Sequence, residues 1–155
     1  MSGSLGGDTS AWAALLRVHA TLVPILDRQL QRAHGLPLSW YDLLLELDAT
    51  PDGRLTMGRL GELAVLSRSR VSRMVDELVQ AGLARKEANP DDRRSAYAVI
   101  TPRGRQRRRQ AAPTYLAAIE REFTARLSAR EAQAIASGLA KVLAAHETHQ
   151  IATRR

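Results

Sequence analysis

Cysteine is absent from this sequence of 155 residues. Its absence excludes disulfide bonds, metal sites built on thiolates and any switch that depends on cysteine oxidation. Lysine is also scarce, since Lys86 and Lys141 are the only lysines among 23 basic residues. Arginine therefore carries nearly all the positive charge, and its planar guanidinium suits phosphate and base-edge recognition. A GC-rich genome would produce the same bias without a physical cause.

Long apolar runs are missing as well. No segment approaches the roughly 18 apolar residues of a transmembrane helix, and the start MSGSLGGDTS lacks the basic and apolar regions of a secretion signal. The sequence predicts a cytoplasmic protein without a membrane partner. It also has no glycine-rich phosphate loop and no Ser-His-Asp or paired-carboxylate grouping in a structural context. We therefore expect neither an enzyme nor a bound cofactor.

The net charge of +7 is concentrated in one region of the chain. Between residues 54 and 109, fourteen basic residues stand against six acidic ones, which leaves a net charge of −1 for the rest. Such a concentration is typical of proteins that bind a polyanion. The length suits one domain with a core of its own and is short for two. Together these features predict a single nucleic-acid-binding domain.

Two short amphipathic runs predict a helix-turn-helix. The first helix lies within residues 57–65, the second spans about 69–81 after the polar break Ser67-Arg68-Ser69, and Gly82 ends it. The apolar positions of the second helix share one side: Val71, Met74, Val75 and Leu78. The N-terminal end of this helix, which would enter a DNA groove, and its outer face contain polar and basic residues: Arg68, Ser69, Arg70, Ser72 and Arg73. Arginine there can bond guanine edges and serine can hold phosphate; an ordinary solvated helix face is the alternative. We expect Asp76 and Glu77 to lie along the rim or to pair with Arg73 and Arg70.

A β-hairpin is predicted after this helix. Strand-like runs at 83–87 and 96–100 flank an Asn89-Pro90-Asp91-Asp92 loop, and residues 55–57 supply a short third strand. The tip of this wing contains Asp92, Arg93 and Arg94. A carboxylate can hold a neighbouring guanidinium in place, and a fixed arginine suits the narrow, negative minor groove. A solvated turn is the alternative.

Helices flank this unit on both sides. We predict a helix over 10–34 that is interrupted by Pro24, and a buried helix over 39–48 with Ser39 as its N-cap. Two more follow, from Pro102 to about Arg126 and from a Ser128-to-Glu131 capping box to about His146. The first helix and the last two have surplus apolar faces, which a symmetric homodimer would bury. The alternative is that these helices pack only within one chain.

Residues 60–104 resemble the DNA-binding core of the MarR family of multiple-antibiotic-resistance regulators. The family pattern has a serine-opened recognition helix with Val-Ser/Thr-Arg, then Leu-x-x-x-Gly-Leu, a wing with Asp-x-Arg, and Leu-Thr-x-x-Gly. The chain matches with Val71-Ser72-Arg73, Leu78-Val79-Gln80-Ala81-Gly82-Leu83, Asp92-Arg93-Arg94 and Ile100-Thr101-Pro102-Arg103-Gly104. Its one departure is isoleucine at position 100, where the family usually has leucine.

The resemblance covers about residues 10–148 and implies a mainly α fold with a small β wing (α+β). It implies one domain at 9–148. The Gly/Ser-rich composition predicts a disordered segment at 1–8, and the absence of an apolar stripe predicts a frayed tail at 149–155. Within the domain, the winged helix-turn-helix occupies about 38–104, and the dimerisation helices occupy about 10–34 and 102–148. The function implied is that of a homodimer on a pseudo-palindromic operator in double-stranded DNA, usually a repressor relieved by a small ligand.

The resemblance also implies roles for individual residues. By position, Arg94 is the minor-groove arginine, Asp92 its orienting carboxylate, and residues 68–73 read the major groove. Family pockets lie between the dimer helices and the reading unit. An aromatic or phenolic effector there would have five candidate contacts, which are otherwise core residues: Trp12, His19, Trp40, Tyr41 and Tyr115.

Three further alternatives remain open. His146 and His149 are three residues apart and could share a metal in a metal-responsive regulator, although no carboxylate cluster completes the site. A ligand-independent architectural DNA-binding protein would also fit the charge. The arginine-rich run at 103–109 would either touch flanking phosphates or form a solvated helix face.

Overall fold

The computed structural model describes residues 9–152, with side chains as far as His146. The disorder predicted for residues 1–8, the last three residues of the predicted frayed tail and the side chain of His149 lie outside the described part. The chain divides into two compact units after Leu116. Helices dominate, and the single described sheet has three antiparallel strands, which confirms the predicted fold class.

The elements follow the predicted order. In the first unit they are α1 (Ser10–His34), α2 (Leu38–Asp48), β1 (Arg54–Thr56), α3 (Met57–Leu63), α4 (Arg68–Gln80), β2 (Ala84–Ala88) and β3 (Ala96–Ile100). Helix α5 (Pro102–Glu122) begins in this unit, and a 3-10 turn (Thr124–Arg126) and α6 (Ala129–Ala152) follow it. Both α1 and α5 continue through their internal prolines, Pro24 and Pro113. Helix α5 ends earlier than predicted, and α6 extends past the predicted end at His146.

Helix α2 is the centre of the first unit, as its apolar circumference predicts. Leu43, Leu44 and Leu47 are completely buried. The prediction that Ser39 caps this helix is wrong, because α2 already begins at Leu38. The Leu38 N–H has no acceptor within the helix. It donates to Asp27 Oδ1 at 2.9 Å, so a carboxylate from α1 satisfies this N–H group at the helix end.

The helix-turn-helix is formed by α3 and α4, each with a side-chain cap. Thr56 Oγ1 accepts from the Arg59 N–H at 3.2 Å, and Ser67 Oγ accepts from the Arg70 N–H at 3.4 Å. Helix α4 begins at Arg68, one residue earlier than predicted, and the serine that caps it is Ser67. The cap fixes the direction in which the α4 N-terminus leaves the turn.

The three strands form a sheet in the order β1-β3-β2, and the predicted third strand is confirmed. Leu55 pairs with Ala98, and Ala84 pairs with Ile100. Thr101 joins the wing to α5, since its hydroxyl donates to the Gly82 carbonyl at 2.8 Å and accepts from the Gly104 N–H at 3.0 Å. A Cβ atom at Gly104 would collide with the Leu83 carbonyl oxygen, so this close approach of α5 requires glycine.

The second unit contains the end of α5, the 3-10 turn and α6. Its capping box is confirmed, because the Ser128 N–H donates to Glu131 Oε2 at 2.8 Å and Ser128 Oγ accepts from the Glu131 N–H at 3.3 Å. The hydrogen bonds from the Ser128 side chain and backbone lower the pKa of Glu131. No helix among residues 9–152 combines the length and the apolar character needed to cross a membrane.

Candidate nucleic-acid interface

Helix α4 separates an apolar face from a basic face. Val71, Met74, Val75 and Leu78 are buried, as their spacing predicts. Of the residues predicted to read DNA, Ser72 is half-buried and the others are exposed: Arg68, Ser69, Arg70 and Arg73. The first turn of α4 contains no acidic residue, so its N–H groups and arginines form a positive end that favours an anionic partner.

The two acidic residues of α4 do not pair with its arginines, so this one of the two predicted alternatives is wrong. Asp76 Oδ1 lies 2.6 Å from Lys86 Nζ on β2, and Glu77 Oε2 accepts from Trp40 Nε1 at 3.1 Å. Within residues 9–146, no ion pair engages the guanidinium of Arg70 or Arg73. Both arginines therefore face solvent, and the two carboxylates tie α4 to the wing and to α2.

The wing tip is shaped by hydrogen bonds to its backbone. Asp92 Oδ1 accepts from the Arg94 N–H at 2.9 Å, and the Asp92 carbonyl accepts from the Ser95 N–H at 3.0 Å. Across the described side chains, no ion pair joins Asp92 to the Arg94 guanidinium. The expectation that this carboxylate holds the guanidinium is therefore wrong. Asp92 instead orients Arg94 through the main chain, and both Arg93 and Arg94 remain exposed.

The arginine-rich run on α5 has internal partners that neither predicted alternative anticipated. Arg105 and Arg108 both pair with the Asp48 carboxylate, and Arg108 Nε donates to Asp48 Oδ2 at 2.7 Å. Arg107 Nη2 donates to the His34 carbonyl oxygen at 2.5 Å. These three cations anchor α5 against α2 and the end of α1. The feature of the sequence that could have indicated these contacts is Asp48, an aspartate at the end of a helix predicted to be buried.

The residues predicted to line an effector pocket are only partly brought together. The rings of Tyr41 and Tyr115 lie 4.7 Å apart between centroids, with the first buried and the second half-buried. Trp40 is half-buried and bonded to Glu77, whereas Trp12 and His19 lie on an exposed stretch of α1. A ligand role for these residues stays a prediction.

Beside the two tyrosines lies Asp42, a carboxyl group that sequence reasoning missed. Burial, and then the negative charge of Glu46, raise the pKa of Asp42 to about 6. Burial also raises the pKa of Tyr41 and of Tyr115, and for Tyr41 the Arg108 guanidinium partly opposes this effect. The α2–α5 junction thus combines aromatic surface with a carboxyl group that changes charge near neutral pH.

Replacing Asp42 by asparagine should stabilise the protein at neutral pH. The folded state raises the pKa of this carboxyl above its unfolded value of 3.8, so stability falls as pH rises from about 4 through about 6. At pH 7.5, Asp42→Asn should raise the free energy of unfolding by about 1 kcal/mol, a value discounted because the carboxyl is partly hydrated. Urea unfolding at several pH values measures the gain, which should vanish below about pH 4. A gain that persists there, or the same gain from exposed Asp52→Asn, would contradict this origin.

An open surface cavity of about 420 Å³ runs along the first turns of α5. It is lined by Pro102, Arg105, Gln106, Arg109 and Gln110, and includes none of the predicted effector contacts. In the part of the chain that the structure describes, no group of three His, Asp or Glu residues could hold a metal ion. His146 is exposed near the end of α6.

Both the fold and the sequence of the chain are similar to those of known proteins. A sequence profile of the MarR family matches residues 34–95. The structure of a MarR family transcriptional regulator from Streptomyces coelicolor, solved in complex with DNA, superimposes with a TM-score of 0.79; the two sequences are 32% identical over 86% of each chain. The chain belongs to the MarR family. The predicted family and fold are thereby confirmed.

Other MarR regulators support the same placement. AbsC from Streptomyces coelicolor is 30% identical with a TM-score of 0.81, and the match covers 95% of this chain and 99% of AbsC. A regulator from Silicibacter pomeroyi is 30% identical with a TM-score of 0.71, covering 93% of this chain and 94% of the other. No curated protein matches the chain significantly by sequence. This MarR protein is a DNA-binding transcriptional regulator, and its relatives are regulators, not enzymes.

Proposed function

We propose that this MarR regulator binds a pseudo-palindromic operator as a homodimer and represses transcription until a small aromatic or phenolic molecule releases it. The observation that carries the proposal is the division of α4 into a buried apolar face and an exposed face rich in arginine. Such a helix can pack its apolar face against its own domain while its N-terminal residues enter the major groove. The wing, with Arg93 and Arg94 at its tip, would reach the adjacent minor groove.

A homodimer is supported by apolar side chains that one chain leaves in solvent. Trp12 on α1 is 62% exposed and Leu143 on α6 is 65% exposed. Others on the same helices are also exposed: Leu15, Leu16, Val18, Ile135, Leu139 and Val142. Exposed apolar surface of this extent favours self-association, and two-fold pairing is its commonest form.

We propose no catalytic role, and we place the protein in the cytoplasm because its target is double-stranded DNA. The Tyr41–Tyr115 pair, with Asp42 and Arg108 beside it, is the best-supported part of an effector site. Tyr41 is buried, so the half-buried ring of Tyr115 would stack on a small aromatic ring, and the polar groups beside it would bond a phenolic hydroxyl. An effector bound there would contact α2. The hydrogen bond from Trp40 on α2 to Glu77 on α4 would connect it to the reading helix.

Selection of bound sequences from randomised duplex DNA tests this proposal. We expect an inverted repeat whose half-site centres lie about 10 base pairs, one helical turn, apart. Small phenols and zinc are then screened for release of the selected DNA. Release by zinc alone would favour the metal-responsive alternative. Bound DNA without a common sequence would contradict specific operator binding and favour an architectural protein.

Arg70→Ala should change the base preference at one position in each half-site. Its guanidinium is exposed at the entering end of α4, where arginine bonds guanine O6 and N7 in a bidentate manner. Loss of this contact should weaken binding to DNA with the preferred base at that position by about 1–3 kcal/mol. The base preference at other positions should not change. Selection with the variant measures the change, with exposed Arg28→Ala on α1 as a control. An equal loss at every position would instead make Arg70 a phosphate contact.

Arg94→Ala should weaken operator binding by about 1–3 kcal/mol, the value of one good groove contact. The matched control is Arg85→Ala, which removes an arginine from the same wing whose guanidinium is already bonded to Glu87 at 2.7 Å. Titration of a labelled operator at fixed salt compares the two variants. Wild-type affinity in Arg94→Ala would remove Arg94 from the interface.

A further inference from the structure

Val65 occupies the turn between α3 and α4 in an unusual conformation. Its φ angle is +55°, and it is the only non-glycine residue with positive φ in the described part of the chain. The turn is held by its neighbours, since the Leu66 N–H donates to the Gly61 carbonyl at 2.9 Å. The Val65 side chain itself is 89% exposed.

The backbone conformation and the exposure of Val65 are both energetically unfavourable. A β-branched side chain is strained in the left-handed region, where glycine or asparagine would be accommodated more easily. An isopropyl group left in water also gains none of the free energy of burial. Because Val65 is almost fully exposed, packing within the chain offsets neither cost. An apolar partner outside the chain would offset the cost of exposure.

The surroundings of Val65 indicate which partner. In the sequence it lies two residues before Ser67, the N-cap of α4, and shortly before the exposed arginines and serine of the first turn of that helix. In the major groove, the apolar group presented by the base edges is the C5-methyl of thymine, and small apolar side chains contact it. A methyl group beside the arginine contacts would therefore match Val65 in chemistry and position.

We propose that Val65 is a specificity-determining residue that packs against a thymine methyl group in each half-site of the operator. This inference rests on the proposed function, in which α4 enters the major groove. It adds an apolar contact to a reading surface that otherwise consists of arginine and serine. Thymine should therefore be preferred at one position next to the base that Arg70 reads.

Replacing single thymines of the selected operator by deoxyuridine tests the contact, because only the methyl group is removed. Wild-type protein should lose about fourfold in affinity at one position of a half-site, the ratio expected for one buried methyl-sized group. Val65→Ala, which lacks both γ-methyl groups, should show a clearly smaller difference between the thymine and deoxyuridine operators. The matched control is Val79→Ala, which truncates a valine near the C-terminal end of α4 and should retain the fourfold difference.

Val65→Gly supplies a second readout. It relieves the strain at positive φ, so its melting temperature should not fall, while its discrimination between thymine and deoxyuridine should disappear because no side chain remains to contact the methyl group. Folding and DNA recognition are thereby separated. Thermal denaturation and operator titration on the same preparations measure both.

Two results would overturn the inference. One is a wild-type protein that is insensitive to deoxyuridine at every position, and the other is Val65→Ala with the wild-type loss at the sensitive position. If Arg70→Ala still changes base preference in that case, only the role of Val65 fails. If neither Arg70→Ala nor Val65→Ala alters recognition, α4 is not the reading helix and the proposed function fails with it.

Discussion

A chain that lacks residues 127–155 should be monomeric and should lose operator binding by about a hundredfold or more. The deletion removes α6 with its exposed apolar residues Ile135, Leu139, Val142 and Leu143. Burying the part of each side chain that is still exposed would contribute about 0.5–2 kcal/mol, and the loss of all four should abolish pairing. A monomer contacts one half-site and forfeits the gain from engaging two half-sites together, typically 10² to 10⁴ in affinity, about the loss expected here.

Sedimentation equilibrium and operator titration measure the two effects of this deletion. The winged unit has its own core before Leu116, so circular dichroism should show that the shortened chain still folds. Val142→Lys in the full-length chain is a milder variant that puts a charge on the same exposed face. Lys141→Arg, which preserves the charge next to it, is the control. A shortened protein that remains dimeric would overturn an interface built on α6.

Asp48→Ala should cause a marked loss of stability. The Asp48 side chain is only 8% exposed and pairs with both Arg105 and Arg108. Removing one partner of a buried pair leaves the other charge without compensation, at a cost of about 3–5 kcal/mol. Because Arg105 and Arg108 are 32% and 19% exposed, water recovers part of this cost, and we expect about 2–3 kcal/mol.

Urea unfolding of Asp48→Ala measures this loss as a lower midpoint. The matched control is Asp52→Ala, whose carboxylate is 73% exposed and lies 3.8 Å from Arg54 Nε. An exposed pair of this kind contributes between about 0 and 1 kcal/mol. Equal effects of the two substitutions would show that the Asp48 pairs do not anchor α5 to α2.

Local patterns predicted most of the elements because their causes lie within a few residues. The spacing of Val71, Met74, Val75 and Leu78 predicted the buried face of α4. The capping box at Ser128 and Glu131 needed only two side chains three residues apart. Errors at this level were small and concerned the ends of helices; at the start of α2, for example, a carboxylate on α1 replaced the predicted serine cap.

The roles of charged residues were harder to predict. Asp76 and Glu77 were expected to lie along the rim of their helix or to pair with its arginines, but their partners are Lys86 on β2 and Trp40 on α2. Asp92 was expected to hold a guanidinium, and it bonds a backbone N–H instead. Charged side chains have many possible partners within reach, and sequence spacing does not rank them.

By itself, the sequence determined the winged helix-turn-helix, its position in the chain and its family, because periodicity, turns and motifs act over short distances. Only the tertiary structure decided that Asp48 binds arginines 57 and 60 residues away. It also decided that Asp42 has a raised pKa and that Val65 is exposed at positive φ. These properties depend on burial and on contacts between distant elements, which exist only once the chain has folded.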